Sequence, residues 1–217
     1  MIKIGLIHTT ANSMQPINEA FRELAPEVKV LNFLDEGLME EINHHTGITP
    51  TMVRRLLALL DNAEKAKVDG ILLTCSVFSP YVEDIRKFMA APVLSADMAM
   101  LEKAVQMGTK IGVIATVETA GPTSEGLLKA IAKRQQKNIT VHTHVLTEAF
   151  TALKNGDANL HNKMIQQKAL DLAAESDIVL LAQMSMTRAV KDFGPLRVPL
   201  LTSPEISVKA ILAEIKQ

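Results

Sequence analysis

Cys75 is the one thiol in a chain of 217 residues, and it follows directly on a short apolar run, Ile71-Leu72-Leu73, within the polar cluster Thr74-Cys75-Ser76. Such a run reads as a strand buried on both faces. In an open parallel sheet, ligands bind just beyond the carboxyl ends of the strands. A thiol placed there can serve as base, acid or nucleophile once local charge and hydrogen bonds bring its pKa down from about 8.5. The competing reading is packing, because free cysteines are among the most buried residue types and most are inert.

His8 ends the first apolar run and is the nearest candidate partner for Cys75, holding its thiolate as an ion pair. The alternative is a histidine hydrogen-bonded at a strand end. His142 and His144 share one face of a later strand through period-two spacing and could supply a second base, or could face water from a sheet edge. His44, His45 and His161 read as surface or loop residues. Thr9, Asn12, Thr74, Ser76, Thr116, Thr119, Gln183, Ser185 and Thr202 carry small polar groups at strand ends. Together with backbone N–H groups at the following helix N-termini they suit a carboxylate, although Ser and Thr there are also routine caps. No Cys/His cluster has ligand spacing, so no metal is expected. Gly5 and Gly112 belong to no GxGxxG pattern, so nucleotide binding is not indicated.

The elements that must position these groups follow from the pattern. Lys3–Ile7 reads as a strand, a helix runs from about Pro16 to Leu24, and Val28–Leu34 is a second strand ending at Asp35-Glu36-Gly37. Thr49-Pro50 caps a helix that continues to about Lys67. After the cysteine strand come a helix from about Pro80 to Met89, a strand Pro92–Ser95, and a helix capped by Asp97 and closed by Gly108.

At Lys110 the pattern begins again. Lys110-Ile111-Gly112-Val113-Ile114 stands 107 residues after Lys3-Ile4-Gly5-Leu6-Ile7, and Asp177–Leu181 stands 108 residues after Asp69–Leu73. Between them lie a helix from about Thr123 to Gln135, a strand Thr140–Leu146, and helices near 148–154 and 159–175, with Thr147 and Gly156 as caps of the first of these two. Val198–Thr202 repeats Ala91–Ser95, and Ser203-Pro204-Glu205 opens the last helix. The expected fold is α/β: two similar βαβ-type halves with parallel sheets facing each other across a central cleft. Residues 1–97 form the first half with the helix 97–108 leading across, 109–203 form the second, and 204–217 are the final helix. In the repeat Thr9 meets Thr116, Cys75 meets Gln183, and Ser95 meets Thr202.

The bulk numbers narrow the partners. With 47% hydrophobic residues, 22% charged and a net charge of −1, the composition is that of a globular protein without a nucleic-acid or anionic-membrane surface. The chain opens on a strand pattern rather than a signal peptide, and no apolar run approaches the ~18 residues of a membrane helix. The expectation is a cytoplasmic protein.

The stretches Leu72-Leu73-Thr74-Cys75-Ser76, Ile111-Gly112-Val113-Ile114-Ala115-Thr116, Ala182-Gln183-Met184-Ser185-Met186 and Leu201-Thr202-Ser203-Pro204, set in duplicated halves, resemble the aspartate/glutamate racemase superfamily, over essentially the whole chain. That superfamily includes glutamate, aspartate and hydantoin racemases, maleate isomerase and arylmalonate decarboxylase. The resemblance implies an enzyme without cofactor, a small carboxylate as substrate, and a homo-oligomer. Its racemases place one cysteine on each side of the substrate α-carbon, one removing the proton and the other returning it. Here Gln183 stands where the second cysteine would be, and an amide is neither base nor acid near neutrality. In arylmalonate decarboxylase the surviving cysteine lies in the second half. Cys75 matches the first-half cysteine, which in maleate isomerase is the nucleophile.

Three one-thiol chemistries remain open: cis–trans isomerisation through a covalent adduct, decarboxylation with Cys75 as proton donor, and racemisation with a non-cysteine second base. The leading expectation is a racemase or isomerase acting through Cys75 and His8. A decarboxylase of the same fold and a carboxylate-binding protein without turnover are the alternatives.

Overall fold

The computed structural model describes residues 1–45, 47–191 and 193–216. The chain divides into two compact units, Met1–Met98 with Pro204–Gln217, and Ala99–Ser203, each built on one four-stranded parallel sheet with helices packed against it.

In the first unit, β1 (Lys3–His8) leads through a 3-10 turn, Ala11–Ser13, into α1 (Met14–Leu24), followed by β2 (Lys29–Leu34), α2 (Glu36–His44) and α3 (Pro50–Lys65). Then come β3 (Gly70–Leu73), a 3-10 stretch Ser76–Tyr81, the single turn α4 (Val82–Ile85), a second 3-10 turn Arg86–Phe88, and β4 (Val93–Ser95). The strand order is β2-β1-β3-β4, all parallel. All four residues of β3 are buried, which accounts for its unbroken apolar run. Leu56 and Leu60, one turn apart on α3, are fully buried in one core cluster with Ile7, Ile71 and Leu73, each contributing about 2 kcal/mol by leaving water.

α5 (Met98–Met107) carries the chain into the second unit, where β5 (Lys110–Ala115), α6 (Ala120–Arg134), β6 (Thr140–Val145), α7 (Thr147–Lys154), α8 (Ala158–Ala173), β7 (Ile178–Leu181) and β8 (Leu200–Leu201) follow. The order β6-β5-β7-β8 repeats that of the first sheet. The last helix, α9 (Ser203–Glu214), returns to the first unit. It packs so closely on β3 that a Cβ at Gly70 would come within 2.9 Å of Ile215 Cγ2 and 3.1 Å of Ile211 Cδ1. Among the described residues no helix is long and apolar enough to cross a membrane.

The sequence pattern erred in four places. Thr147, expected as a cap, is instead the first residue of α7, and the N-cap of that helix, Leu146, makes no side-chain cap bond. Residues 36–44 form a helix, α2, that the strand-and-loop reading missed; Asp35 caps it by accepting the Leu38 N–H at 3.2 Å, and Leu38 and Ile42 bury one face. The helix expected from Pro80 to Met89 is split: the chain enters a 3-10 stretch at Ser76, Pro80 lies inside it with no N–H to give an α-helical bond, and a single α turn, Val82–Ile85, is followed by 3-10 again at Arg86–Phe88. His161 is not a surface residue: it is fully buried, with Nδ1 2.9 Å from the Ala149 carbonyl.

Candidate active site

In both sheets the chain runs outward in opposite directions from one strand pair: β1 and β3 in the first unit, β5 and β7 in the second. The carboxyl ends of such a pair open a crevice, because the following segments leave to opposite sides. Most of the sequence-derived candidates fall at these two places. His8, Thr9, Thr74, Cys75 and Ser76 lie at the ends of β1 and β3, and Asn12 lies in the turn that follows β1. Thr116, Gln183 and Ser185 lie at the ends of β5 and β7, and Thr119 immediately precedes α6. Thr202 follows β8.

Cys75 is 6% exposed. Burial pushes its thiol up from the ordinary value; the Thr9 hydroxyl and the Val77 and Phe78 N–H groups draw it back, while the charge of Asp97 adds to the rise. The turn after β3 therefore aims neutral donors at the sulfur, but the resting group is the thiol. Thr9 itself is buried, 1% exposed.

His8 does not form the ion pair expected with Cys75. Desolvation lowers its pKa to about 4, despite a hydrogen bond to Asn32 that acts the other way. Nε2 lies 2.9 Å from Asn32 Oδ1, and Nδ1 lies 2.8 Å from Ser13 Oγ and 2.9 Å from Thr74 Oγ1. Asn18 Nδ2 donates to both the Met14 carbonyl and Asn32 Oδ1, which fixes that oxygen towards the ring. The network thus assigns the proton to Nε2 and leaves Nδ1 as an acceptor. Two hydroxyl protons, on Ser13 and Thr74, serve three acceptors: Nδ1 and the Ile7 and Thr10 carbonyls. His8 is a neutral strut, and Thr74, expected to hold a carboxylate, is engaged in holding it.

In the second unit the Gln183 carbonyl Oε1 accepts the Thr116 N–H at 2.7 Å. Thr116 Oγ1, Thr119 Oγ1 and Thr187 Oγ1 are buried without a hydrogen-bond partner among the described residues. Ser185, 8% exposed, accepts the Arg188 Nε–H at its carbonyl. His142 and His144, weighed as a second base, are exposed on the edge strand β6.

Sequence reasoning missed Ser13 and Asn32, which hold His8, and read Asp97 only as a helix cap. The Asp97 carboxylate also accepts the Ser79 and Ser95 hydroxyls. Among the described residues no group of three or more His, Cys, Asp or Glu is placed to hold a metal ion.

Residues 4–211 match the family model for Asp/Glu/Hydantoin racemase. A glutamate racemase of Gloeothece citriformis (strain PCC 7424) is 30% identical over 118 residues, 54% of this chain; the match spans only 41% of that relative's length. The fold is similar to that of an allantoin racemase from Klebsiella pneumoniae (TM-score 0.74, 16% identity, covering 100% of this chain and 88% of the other). It is equally similar to a glutamate racemase from Francisella tularensis solved with D-glutamate (TM-score 0.74, 18% identity, covering 99% and 81%). The Picrophilus torridus aspartate racemase gives the same score at 14% identity, covering 100% and 95%. With a family match over nearly its whole length and a sheet topology duplicated as described, the chain belongs to the Asp/Glu/hydantoin racemase family.

Proposed function

We propose that the protein is a cofactor-independent racemase of a small carboxylic acid, with Cys75 as its acid–base group at the α-carbon. The observation that carries this reading is the placement of the single thiol where β1 and β3 diverge, under the Thr9 hydroxyl and the Val77 and Phe78 N–H groups. These donors favour the thiolate, against the burial that keeps the resting group protonated. The thiolate takes the α-proton to become the thiol, the electron pair moves into an enediolate, and a non-cysteine acid on the opposite face, in place of the amide Gln183, gives up a proton to the α-carbon to complete the inversion.

Exchange of α-hydrogen for deuterium in heavy water, followed by proton NMR over a panel of D- and L-amino acids and 2-hydroxy acids, tests this. Related racemases have been solved with D-glutamate and with beta-chloro-D-alanine, so amino acids head the panel. At least one acid should exchange, and Cys75→Ala should slow that exchange about a hundredfold or more. Exchange that survives in Cys75→Ala removes the thiol from the mechanism.

The protonated resting thiol favours a second reading, decarboxylation. Loss of carbon dioxide from a malonate leaves an enediolate, and the Cys75 S–H supplies its proton. Carbon dioxide release from 2-substituted malonates, with no α-exchange on the product acids, selects this reading over the first.

A further inference from the structure

A second cluster lies beside the thiol in the first unit and has no part in the reading above. β3 and β4 pair with Leu73 opposite Ser95, and the Ala96 N–H extends the ladder to the Leu73 carbonyl at 2.9 Å. Two residues beyond that pair stand Cys75 and Asp97, near enough that the Asp97 charge acts on the thiol.

Asp97 is 5% exposed. Its Oδ1 accepts the Ser79 hydroxyl at 2.6 Å and the Ser95 hydroxyl at 2.7 Å. Ser79, four residues beyond Cys75, is itself buried, so the carboxylate grips the turn that leaves the thiol. Oδ2 is buried and has no hydrogen-bond partner among the described residues. Both hydroxyl donors thus sit on one oxygen, and the other is bare in a dry site, where an ionised oxygen is costly. Oδ2 is the atom that favours a proton.

The other groups acting on the pair are neutral. The Thr9 hydroxyl and the Val77 and Phe78 N–H groups act on the sulfur, the two serine hydroxyls and the Asp97 and Met98 N–H groups act on the carboxyl, and His8 on β1 is uncharged. Burial pushes Asp97 above the usual carboxylate range, against the pull of Ser79 and Ser95.

We propose that Asp97 is a positioning residue that sets the charge on Cys75: the two groups share one negative charge, which the Asp97 carboxylate holds at rest, so that Cys75 stays a thiol near neutrality and ionises only against that charge. Two like charges in one dry site do not both form near neutrality, so the pair titrates as a unit. The inference rests on Cys75 being the reacting thiol, but its test reads ionisation rather than turnover, so the two ideas fail separately.

The test is the rate of iodoacetamide alkylation against pH, in the wild-type protein and in Asp97→Asn. Cys75 is the one cysteine, so the signal has a single source. Asp97→Asn is expected to move the midpoint down by about one pH unit, because the neighbouring negative charge is gone. An unchanged or higher midpoint means that Asp97 only supports the turn, and overturns the proposal. Should Asp97→Asn not fold, wild-type protein labelled with carbon-13 at aspartate carboxyls answers the question. The Asp97 signal is expected to move a second time at the thiol midpoint, and a single step in the acid range overturns the proposal.

Discussion

The Gln183 side-chain carbonyl accepts the Thr116 N–H at 2.7 Å, at the position where the first unit sets the Thr9 hydroxyl on the Cys75 thiol. The repeat has kept the contact between the two strand ends and exchanged its chemistry. In one unit the partner of the threonine can carry a proton; in the other it is an amide that cannot.

Gln183→Cys restores a thiol at the position matching Cys75. The folded variant is expected to gain α-proton exchange on an amino or hydroxy acid, or to raise exchange already present, read by deuterium incorporation. A folded Gln183→Cys protein with no gain over wild type across the panel would falsify the idea that the second unit retains a racemase site.

Thr9→Val removes a hydroxyl that favours the charged form of Cys75 while keeping the shape of the side chain. A hydrogen bond of about 1 kcal/mol corresponds to roughly 0.7 of a pH unit. The alkylation midpoint of Cys75, already above the ordinary thiol value through burial, should rise by about that amount. A midpoint that stays put would show that Thr9 does not act on the sulfur.

The fold was legible in the sequence because its signals are local or periodic. Lys3–Ile7 and Lys110–Ile114 announce matching strands, and the run before Cys75 announces a buried one. What escaped is contact across sequence distance. His8 is held by Ser13 and by Asn32, twenty-four residues away, and nothing in the pattern distinguishes that role from ion pairing. Asp97 looked like a helix cap because it precedes one; only the register of Leu73 on Ser95 brings it level with Cys75 and within reach of Ser79. α2 was lost because Gly37, Asn43 and His44 are weak helix formers. Its cap and buried Leu38 and Ile42 supply what propensity does not.

Gly70→Ala tests how the C-terminal helix is seated on the first sheet. The added methyl would meet Ile215 Cγ2 at 2.9 Å and Ile211 Cδ1 at 3.1 Å, so α9 must shift or the isoleucines must change rotamer. Overpacking of this kind costs about 1–3 kcal/mol. Urea unfolding should show a lower midpoint, and an Ile215→Ala change in the same chain should recover part of the loss. Equal stability of Gly70→Ala and wild type would mean that α9 is not packed on β3.

His8 makes stability depend on pH in a defined direction. Its folded pKa, about 4, lies below the unfolded value of 6.5. Between those values the unfolded chain takes up a proton that the folded protein refuses, so stability is full above pH 6.5 and is lost as pH falls towards 4. The size is about 3 kcal/mol over the window. Asp97 acts in the opposite sense, since its raised pKa makes the folded protein bind a proton first as pH falls. The difference between wild type and His8→Gln isolates the histidine. Gln cannot take up a proton in either state, so the variant should be less stable than wild type at pH 7, through its broken network, yet lose less stability between pH 6.5 and 4. Urea midpoints at half-unit steps of pH measure this. Parallel pH profiles for the two proteins would mean that His8 is protonated in the fold, and with that an imidazolium beside Thr74 would again be available to the chemistry at Cys75.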